Sequence, residues 1–404
     1  MTAINLRGVA RRNAVVCDNI IEGPLRWEDG RNEDHYGVRV YGTGHIIHHN
    51  RIFNCWDAIQ VGADCDSIET SGCDVYGNEI YCCTDDGIET DRSRHNIRVF
   101  ANRMTNVLTG VSCQPVYGGP IYMVRNVVYN CQLKPMKFHV WPTGMLVYST
   151  CYCAYPLAWY AGQWKNGHLR NNLFLGGSHS ACNYDPTCIY DNPYQMDMDY
   201  DGFYRARSDR FANFDHVSYP TLVAFQAATG MEMHAVLLDS TAFVAAEGPP
   251  LGSCVGAHGY PPPYAPGSQD LRLRPDSPAI DAGIFLANII EGYGGSAPDL
   301  GAYEYGQPLP AYGPEDDADS AVLGAGPRLR AMAVHGSFPD PFFSVTQLRF
   351  DLALPSKVTA GVYDASGRLV RRLLSGERLM AGSRVLEWDG RDDQGIRVPG
   401  RRVT

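Results

Sequence analysis

The sequence predicts an all-β protein in which a right-handed parallel β-helix is followed by a small β-sandwich. The first observation is a repeat. An Asn, an alternating apolar pair and a second polar residue recur at intervals of 24 to 31 residues, at Asn19, Asn50, Asn78, Asn102 and Asn126. The second observation is that each repeat contains short runs with the period of a strand and no helical pattern. Such repeats indicate stacked strand-rich coils, which lie about 4.8 Å apart in a parallel β-helix.

Stacking explains the choice of residues within each coil. The repeated Asn falls at a bend, where its amide can donate a hydrogen bond to one coil and accept one from the next. A second register runs through residues 37–40, 58–61, 87–90 and 110–113. Because side chains along a strand alternate between its two faces, Ile59, Ile88 and Val111 all point inward and form an apolar column.

The chain is long enough for a solenoid and an additional module. We expect the β-helix over residues 1–306, with a lateral excursion over residues 206–260. A linker rich in Pro, Gly, Asp and Ala follows over residues 307–327, and the β-sandwich occupies residues 328–404. Its alternating short strands and Gly turns are typical of a sandwich. The last strand is expected to be truncated at Thr404.

Composition excludes two classes of partner. The formal net charge is −10, from 34 basic and 44 acidic side chains, and no basic cluster favours nucleic acid. No apolar run is long enough to span a membrane. Residues 1–7 lack an apolar export segment, so the signal peptide of an exported protein is expected upstream. The pairs Cys65/Cys73 and Cys182/Cys188 could form disulfides, with free thiols as the alternative.

Two segments near the end of the predicted solenoid resemble a known family. Residues 277–283 read SPAIDAG and residues 298–306 read PDLGAYEYG. Together they resemble the closing segments of secreted bacterial right-handed β-helix proteins, which include polysaccharide lyases and relatives of glycoside hydrolases. The resemblance implies an extracellular or cell-surface protein that binds a polysaccharide. The catalytic motifs of polygalacturonases are absent, apart from the pair Asp85-Asp86.

The C-terminal residues carry a second resemblance. Residues 348–391 are similar to the FlgD-like immunoglobulin-type domain, or the related sorting domain, found at the C-termini of exported bacterial proteins. This resemblance implies a role in export or surface attachment, through export machinery or the cell surface, and implies no chemistry.

The candidate site lies on one outward face of the second register. Because Ile88 points inward, Glu89 points outward, and the same rule places Arg39, Gln60 and Ser112 on that face. Alignment of the next coil adds His139 to the row.

Acidic residues concentrate at this face. Asp57 and Asp86 hold nearly the same position in successive coils, and Asp85, Asp86, Glu89 and Asp91 lie within seven residues. Crowded carboxylates raise one another's pKa or require a cation. The four residues of the second group therefore form a candidate Ca²⁺ site.

Three interpretations remain open. A glycosidase could use Asp57 and Asp86 as its two carboxyl groups, about 5 Å apart. A lyase acting on uronates needs a cation or a basic group to neutralise the substrate carboxylate, and a base, for which Lys137, His139, Arg103 or Arg39 could serve as base or clamp. In a non-catalytic adhesin, Asp-Asp-Gly would only cap free N–H groups at a turn. The candidate catalytic residues are Asp57, Asp86, Glu89, Lys137 and His139. The candidate substrate-binding residues are Arg39, Gln60, Arg103 and Trp141.

A second acidic run, Asp197-Met198-Asp199-Tyr200-Asp201-Gly202, is similar to the start of a calcium loop. The twelfth position of such a loop requires a bidentate Glu, and Ser208 occupies it. A strand whose aspartates face solvent is the alternative.

Overall fold

The structure is a computed structural model, and the description below concerns part of the chain. The described residues are 2–7, 12–30, 35–62, 69–113, 116–138, 145–153, 166–175, 187–189, 195–204, 211–246, 263–287, 289–290, 292–314, 332–338, 344–352, 355–363 and 369–398. The chain divides into two compact units, Met1–Asp317 and Ala318–Thr404. The division lies within the segment that the sequence predicts as a linker.

Nearly all regular structure is β. The strands of the first unit are β1 (Thr2–Leu6), β2 (Val15–Cys17), β3 (Ile20–Glu22), β4 (Tyr36–Val40), β5 (Ile46–His48), β6 (Arg51–Phe53), β7 (Ile59–Val61), β8 (Asp74–Tyr76), β9 (Glu79–Glu89), β10 (Ile97–Phe100), β11 (Arg103–Cys113), β12 (Ile121–Phe138), β13 (Met145–Cys153), β14 (Gly167–Arg170), β15 (Leu173–Leu175), β16 (Thr187–Ile189), β17 (Asp197–Asp199), β18 (Gly202–Tyr204), β19 (Ala212–Phe214), β20 (Val217–Tyr219), β21 (Val236–Leu238), β22 (Phe243–Ala245) and β23 (Asp270–Leu273). The helices are α1 (Leu222–Thr229) and two short 3₁₀ turns, Trp27–Asp29 and Ser240–Ala242.

Three parallel sheets build the solenoid. Sheet one stacks β2, β5, β8, β10 and the start of β12, and continues through β13, β14 and β17. Sheet two stacks β3, β6, the start of β9, the start of β11 and the middle of β12, and continues through β13, β15, β18 and β21. Sheet three stacks β1, β4, β7 and the ends of β9, β11 and β12. The parallel β-helix predicted from the repeat is confirmed.

The repeated asparagines form a single column between sheets one and two. The Nδ2 group of Asn50 donates to Oδ1 of Asn78 at 3.0 Å, and Asn78 donates in the same way to Asn102 at 2.9 Å. Asn19 begins the column and Asn126 continues it. Each Oδ1 also accepts the backbone N–H of the Asn one coil earlier. The column therefore pairs backbone groups that the bend takes out of the sheet ladder.

The solenoid interior is apolar. Ile59, Ile88 and Val111 are register partners and are buried, as the period of two predicts. Cys73 is a free thiol in the same core. Of the two alternatives for Cys73, the free thiol holds, because the Cys73 side chain packs inward among apolar residues. Cys65, Cys182 and the Cys188 side chain lie outside the described part.

A second apolar layer covers the outer face of sheet two. Outward residues such as Tyr129 and Leu173 pack against Leu271, Leu300 and Tyr303, which come from the segment after residue 263. That segment contains the SPAIDAG and PDLGAYEYG sequences. Sheet two is therefore sandwiched between the solenoid core and the C-terminal residues of this unit.

Helix α1 has the ends that its sequence predicts. The Thr221 hydroxyl accepts from the N–H of Ala224 at 3.1 Å, and Gly230 ends the helix in the left-handed conformation. Phe225 joins the core of the solenoid. Among the described residues, the structure contains no helix with the length and apolarity needed to cross a membrane.

The second unit contains two antiparallel sheets. Its strands are β24 (Met332–Phe338), β25 (Thr346–Leu352), β26 (Ser356–Tyr363), β27 (Leu369–Leu379) and β28 (Gly382–Trp388). One sheet has the order β24-β25-β28, and the other pairs β26 with β27. Phe350 and Leu352 of the first sheet share an apolar cluster with Val358 and Leu374 of the second. Two sheets with a common core are the arrangement of a small β-sandwich.

Candidate active site

One outward row of sheet three brings together side chains from five coils. The register pairs Arg39 with Gln60, Gln60 with Glu89, Glu89 with Ser112, and Ser112 with Lys137. Arg39, Gln60, Glu89 and Ser112 lie on the outward face, where the alternation of side chains along a strand predicts them.

Lys137 holds the position that sequence alignment gives to His139. Val107 pairs with Cys131, whereas Thr109 pairs with Lys134, so β12 accommodates one more residue than β11 between these two pairs. At the 24-residue spacing that precedes the bulge, Ser112 would pair with Met136, and the extra residue moves the pairing to Lys137, two residues before His139. His139 and Trp141 lie outside the described residues.

Hydrogen bonds run along the row from the basic to the acidic end. The Nε group of Arg39 donates to Oε1 of Gln60, and Nε2 of Gln60 donates to Oε1 of Glu89 at 2.8 Å. The Arg39 guanidinium lies 3.8 Å from the ring centroid of Tyr36 and donates to the Tyr41 hydroxyl at 3.1 Å. Because the Gln60 amide must use its oxygen for Arg39, its NH₂ group faces a carboxylate.

Three carboxyl groups converge beside this row. One oxygen each of Asp57, Asp86 and Glu89 lies within 4.8 Å of the other two. The backbone N–H of Asp86 donates to Oδ1 of Asp57 at 2.9 Å, which aligns the two aspartates across adjacent coils. Asp57 and Asp86 are each only 2% exposed. We call these three residues the acidic triad.

Glycine allows the backbone to carry the triad so closely. Gly87 separates Asp86 from the inward Ile88. A Cβ atom at Gly87 would lie 2.8 Å from Sδ of Met104 and 3.0 Å from the Gly110 carbonyl oxygen. A side chain here would push apart the coils that bring the carboxyl groups together.

Lys137 provides a positive charge at the triad. Its Nζ group donates to both carboxylate oxygens of Asp86, at 2.9 and 3.2 Å. Burial by itself lowers the pKa of Lys137, but the charges of Asp86, Asp91 and Asp85 outweigh it and hold that pKa above its ordinary value. Lys137 is therefore an ammonium ion in this arrangement.

The neighbouring acids have raised pKa values. Burial raises the pKa of Asp57 well above its ordinary value, and the charges of Glu89 and Asp86 add to the effect. Burial, followed by the charge of Asp86, also raises the pKa of Glu89. The contact of Glu89 with the Asp57 side chain acts in the opposite direction and lowers the pKa of Glu89, but burial outweighs it.

Asp85 and Asp91 complete the predicted acidic set but stand outside the triad. The N–H of Asp85 donates to the Trp56 carbonyl at 3.0 Å, so Asp85 follows Trp56 in the stack. The Asp91 carboxyl accepts from the Ser112 hydroxyl at 2.7 Å. Burial raises the pKa of Asp91 well above its ordinary value, and the charge of Glu89 raises it further.

The structure does not bring Arg103 to this face. Arg103 lies on sheet two, where it forms an ion pair with Glu79. Its guanidinium lies 4.8 Å from the ring centroid of Tyr312, a residue of the covering segment. Arg103 therefore joins the solenoid to its outer layer.

Sequence analysis missed the aromatic residues beside Arg39. Tyr36 and Trp56 pack edge to face, with ring centroids 5.4 Å apart. The signal was present, because Trp56 directly precedes Asp57 and Tyr36 directly precedes the second register. It could not be used without the register that places the two rings in contact.

No protein-family model matches the chain, and no curated protein matches it. Among solved structures, one described as the crystal structure of pectate lyase Pel9A is similar to this chain, with a TM-score of 0.31 and 14% sequence identity. The alignment covers 67% of this chain and 68% of that one. The likeness is one of fold alone.

Proposed function

We propose that the first unit is a cation-assisted polysaccharide lyase that cleaves a uronate-containing chain by β-elimination on the outer face of sheet three. The observation that carries the proposal is the convergence of the acidic triad within 4.8 Å, with the Lys137 ammonium 2.9 Å from Asp86. A lyase of this kind needs a charge-neutralising group for the substrate carboxylate and a base for the proton next to it.

The triad fits a hard cation such as Ca²⁺. Asp57, Asp86 and Glu89 offer carboxylate oxygens, the ligands that Ca²⁺ prefers. Burial, followed by the charges of neighbouring carboxylates, raises the pKa values of Asp57 and Glu89, and a cation would offset that charge. A bound cation would neutralise the uronate carboxylate and acidify the adjacent C–H bond. Asp85 and Asp91 lie at the edge of this group and would supply further negative charge.

Lys137 is our candidate base. Its Nζ atom keeps its proton while Asp86 faces it, because the ion pair stabilises the ammonium form. When Asp86 no longer neutralises that ammonium, the pKa of Lys137 falls and Nζ can accept the substrate proton as a neutral amine. Arg39, fixed by Gln60 and Tyr41, would orient the acidic sugar.

Hydrolysis by a retaining mechanism is less well supported. Its nucleophile would have to be Asp57 or Asp86, both almost fully buried. Asp57 already accepts a backbone hydrogen bond from Asp86, and Asp86 accepts two from Lys137. Neither carboxylate has the exposed, uncommitted oxygen that attack on an anomeric carbon needs.

We further propose that the protein works outside the cell or at its surface, and that the second unit serves in export or attachment. The support is the FlgD-like sequence of residues 348–391 together with the two-sheet arrangement of that unit. Fusion of the second unit to a secreted reporter, followed by fractionation, would test it. A reporter that reaches neither the surface nor the medium contradicts it.

The test of the lyase uses a panel of uronate and neutral polysaccharides with Ca²⁺ or with a chelator. We expect unsaturated, ultraviolet-absorbing products from a uronate polymer, dependent on Ca²⁺ and abolished by Asp86→Asn. Arg98→Ala, a surface change on sheet one, is the matched control. New reducing ends without ultraviolet absorbance would indicate a hydrolase, and silence on every polymer would leave a glycan-binding adhesin.

Cation binding can be tested without substrate. Ca²⁺ should raise the melting temperature of the protein, because it binds the folded triad and not the unfolded chain. Glu89→Gln should remove that shift, and Asp74→Asn, an acid paired with Arg98 on sheet one, should keep it. An equal shift in both variants would place the cation elsewhere.

A further inference from the structure

An aromatic group borders the acidic triad on its N-terminal side. The backbone N–H of Trp56 donates to the His35 carbonyl at 2.7 Å, and the Trp56 carbonyl accepts from the backbone N–H of Asp85 at 3.0 Å. Trp56 therefore stands between His35 in the preceding coil and Asp85 in the following one. It also directly precedes Asp57 in the chain.

The geometry of these rings differs from that of the other aromatic stacks on the solenoid. On sheet one, His48, Tyr76 and Phe100 are nearly parallel, with interplanar angles of 5° and 13°, so each ring covers the face of the next. Tyr36 and Trp56 meet at 66° and do not cover each other's faces in this way. Both rings are partly exposed. The Arg39 guanidinium lies over one face of Tyr36, and the exposed parts of Tyr36 and Trp56 could stack against the apolar face of a sugar.

Two nitrogen atoms in this group have no hydrogen-bond partner among the described residues. They are Nε1 of Trp56 and Nδ1 of His35, and both are buried. An indole N–H is a donor only. A buried donor without a partner is unfavourable, and a hydrogen bond to a ligand oxygen would remove that cost.

We propose that His35, Tyr36 and Trp56 form a subsite that holds one uronate ring of the polysaccharide beside the acidic triad. The sugar stacks on the aromatic rings, and its hydroxyl or carboxylate oxygens accept from Nε1 of Trp56. The Arg39 guanidinium, 3.8 Å from the Tyr36 centroid, favours an acidic ring over a neutral one. This subsite deepens the lyase function proposed above and rests on it for the identity of the sugar.

Binding is measured in the Asp86→Asn background, where the proposed cleavage does not occur. The probes are an oligogalacturonate and its methyl ester, titrated by calorimetry. We expect Trp56→Ala to weaken binding of the oligogalacturonate about tenfold, since stacking and one hydrogen bond are lost. Trp56→Phe keeps the ring and loses the N–H, so its loss should be about threefold.

Tyr76→Ala, which removes an aromatic ring on sheet one, is the control and should bind like its parent. Circular dichroism checks that each variant is folded, and Trp56→Phe is the conservative variant if Trp56→Ala is not. Unchanged binding in Trp56→Phe and Trp56→Ala would overturn the subsite. Equal affinity for the methyl ester would overturn the preference for an acidic ring.

Steady-state kinetics of Trp56→Ala without the Asp86→Asn substitution distinguish the subsite proposal from the lyase proposal. If both hold, Trp56→Ala raises KM with kcat within about twofold, because it removes binding that ground state and transition state share. Binding that depends on Trp56 without any unsaturated product would keep the subsite and refute the lyase. Unsaturated product with an unchanged KM in Trp56→Ala would refute the subsite and keep the lyase.

Discussion

At the scale of single residues, the site combines crowded acidic side chains with one lysine that offsets part of their charge. Five acids and one lysine lie in or beside one row of sheet three, and all six were candidates on the sequence alone. Burial raises the pKa values of Asp57 and Glu89, and the crowding of these two residues with Asp86 raises them further. Lys137 offsets part of this charge through its contact with Asp86.

Lys137→Met should therefore destabilise the first unit. The substitution leaves the buried Asp86 carboxylate unpaired among other acids, at an expected loss of about 2–4 kcal/mol in the free energy of unfolding at neutral pH. The loss should be smaller at mildly acidic pH, because protonation of the carboxyl groups removes the uncompensated charge. Chemical denaturation at two pH values measures both effects.

Arg98→Met is the matched control for Lys137→Met. Its ion pair with Asp74 is on the surface, with Arg98 53% exposed, so its removal should change stability by less than about 1 kcal/mol. A loss of similar size in the two variants would mean that burial does not strengthen the Lys137 pair.

At the scale of elements, the bends between sheets carry the polar columns that hold the coils in register. The Asn78 side chain accepts from Asn50 and donates to Asn102, Ile47 and Tyr76. The Asn78 side chain is buried, and a buried polar group that loses its hydrogen-bond partner destabilises the fold.

Asn78→Ala should reduce the free energy of unfolding by about 3–5 kcal/mol, because several buried backbone and amide groups lose their partner together. Asn19→Ala makes the same chemical change at the partly exposed start of the column and should cost only about 1 kcal/mol. Thermal or chemical unfolding of the two variants measures the difference. Equal losses would contradict a cooperative column.

The later coils replace this Asn column with a carboxyl pair. Oδ1 of Asp201 accepts from the backbone and side-chain N–H groups of Asn172, at 2.7 and 2.9 Å. The other oxygen, Oδ2, and both Glu232 carboxyl oxygens are buried without a donor among the described residues. The calcium loop considered for residues 197–202 is not assembled, since Asp197 contacts Arg170 and Asp199 contacts His234.

Burial raises the pKa of Asp201 to about 7 and that of Glu232 well above its ordinary value. Since the folded state binds the proton more tightly, this stabilisation is complete below the unfolded pKa near 3.8 and is lost as the pH rises through about 7. The charges facing the pair are Arg170 and Asp199, and Asp199 is itself paired with His234.

Asp201→Asn should flatten this pH dependence. The amide oxygen can still accept from Asn172, the amide NH₂ group offers a donor to the Glu232 carboxyl group, and the side chain has no proton to release as the pH rises. We expect the protein to lose of the order of 3 kcal/mol between pH 4 and pH 8, and the variant to lose less. Melting temperatures across that range measure it, with the exposed Asp197→Asn as control. Parallel curves for the protein and Asp201→Asn would show that ionisation of Asp201 does not cause this loss of stability.

At the scale of the whole molecule, the chain contains two units with separate cores. We expect two calorimetric unfolding transitions. Ile80→Ala, in the solenoid core, should lower the midpoint temperature of one transition. Phe350→Ala, in the core of the second unit, should lower the midpoint temperature of the other. Each shift should be about 5 °C or more. A single transition that both variants move equally would show that the units unfold together.

The sequence by itself determined the β-helix, the Asn column and most of the outward row. These follow from a short repeat in which side chains one coil apart become neighbours, so local spacing is sufficient information. Only the tertiary structure decided the place of Lys137, because a one-residue bulge changes the register without an obvious mark in the sequence. It also decided that Arg103 lies under Tyr312 and that Trp56 meets Tyr36. The first depends on a distant segment folding back over sheet two, and the second on the pairing of two coils of unequal length.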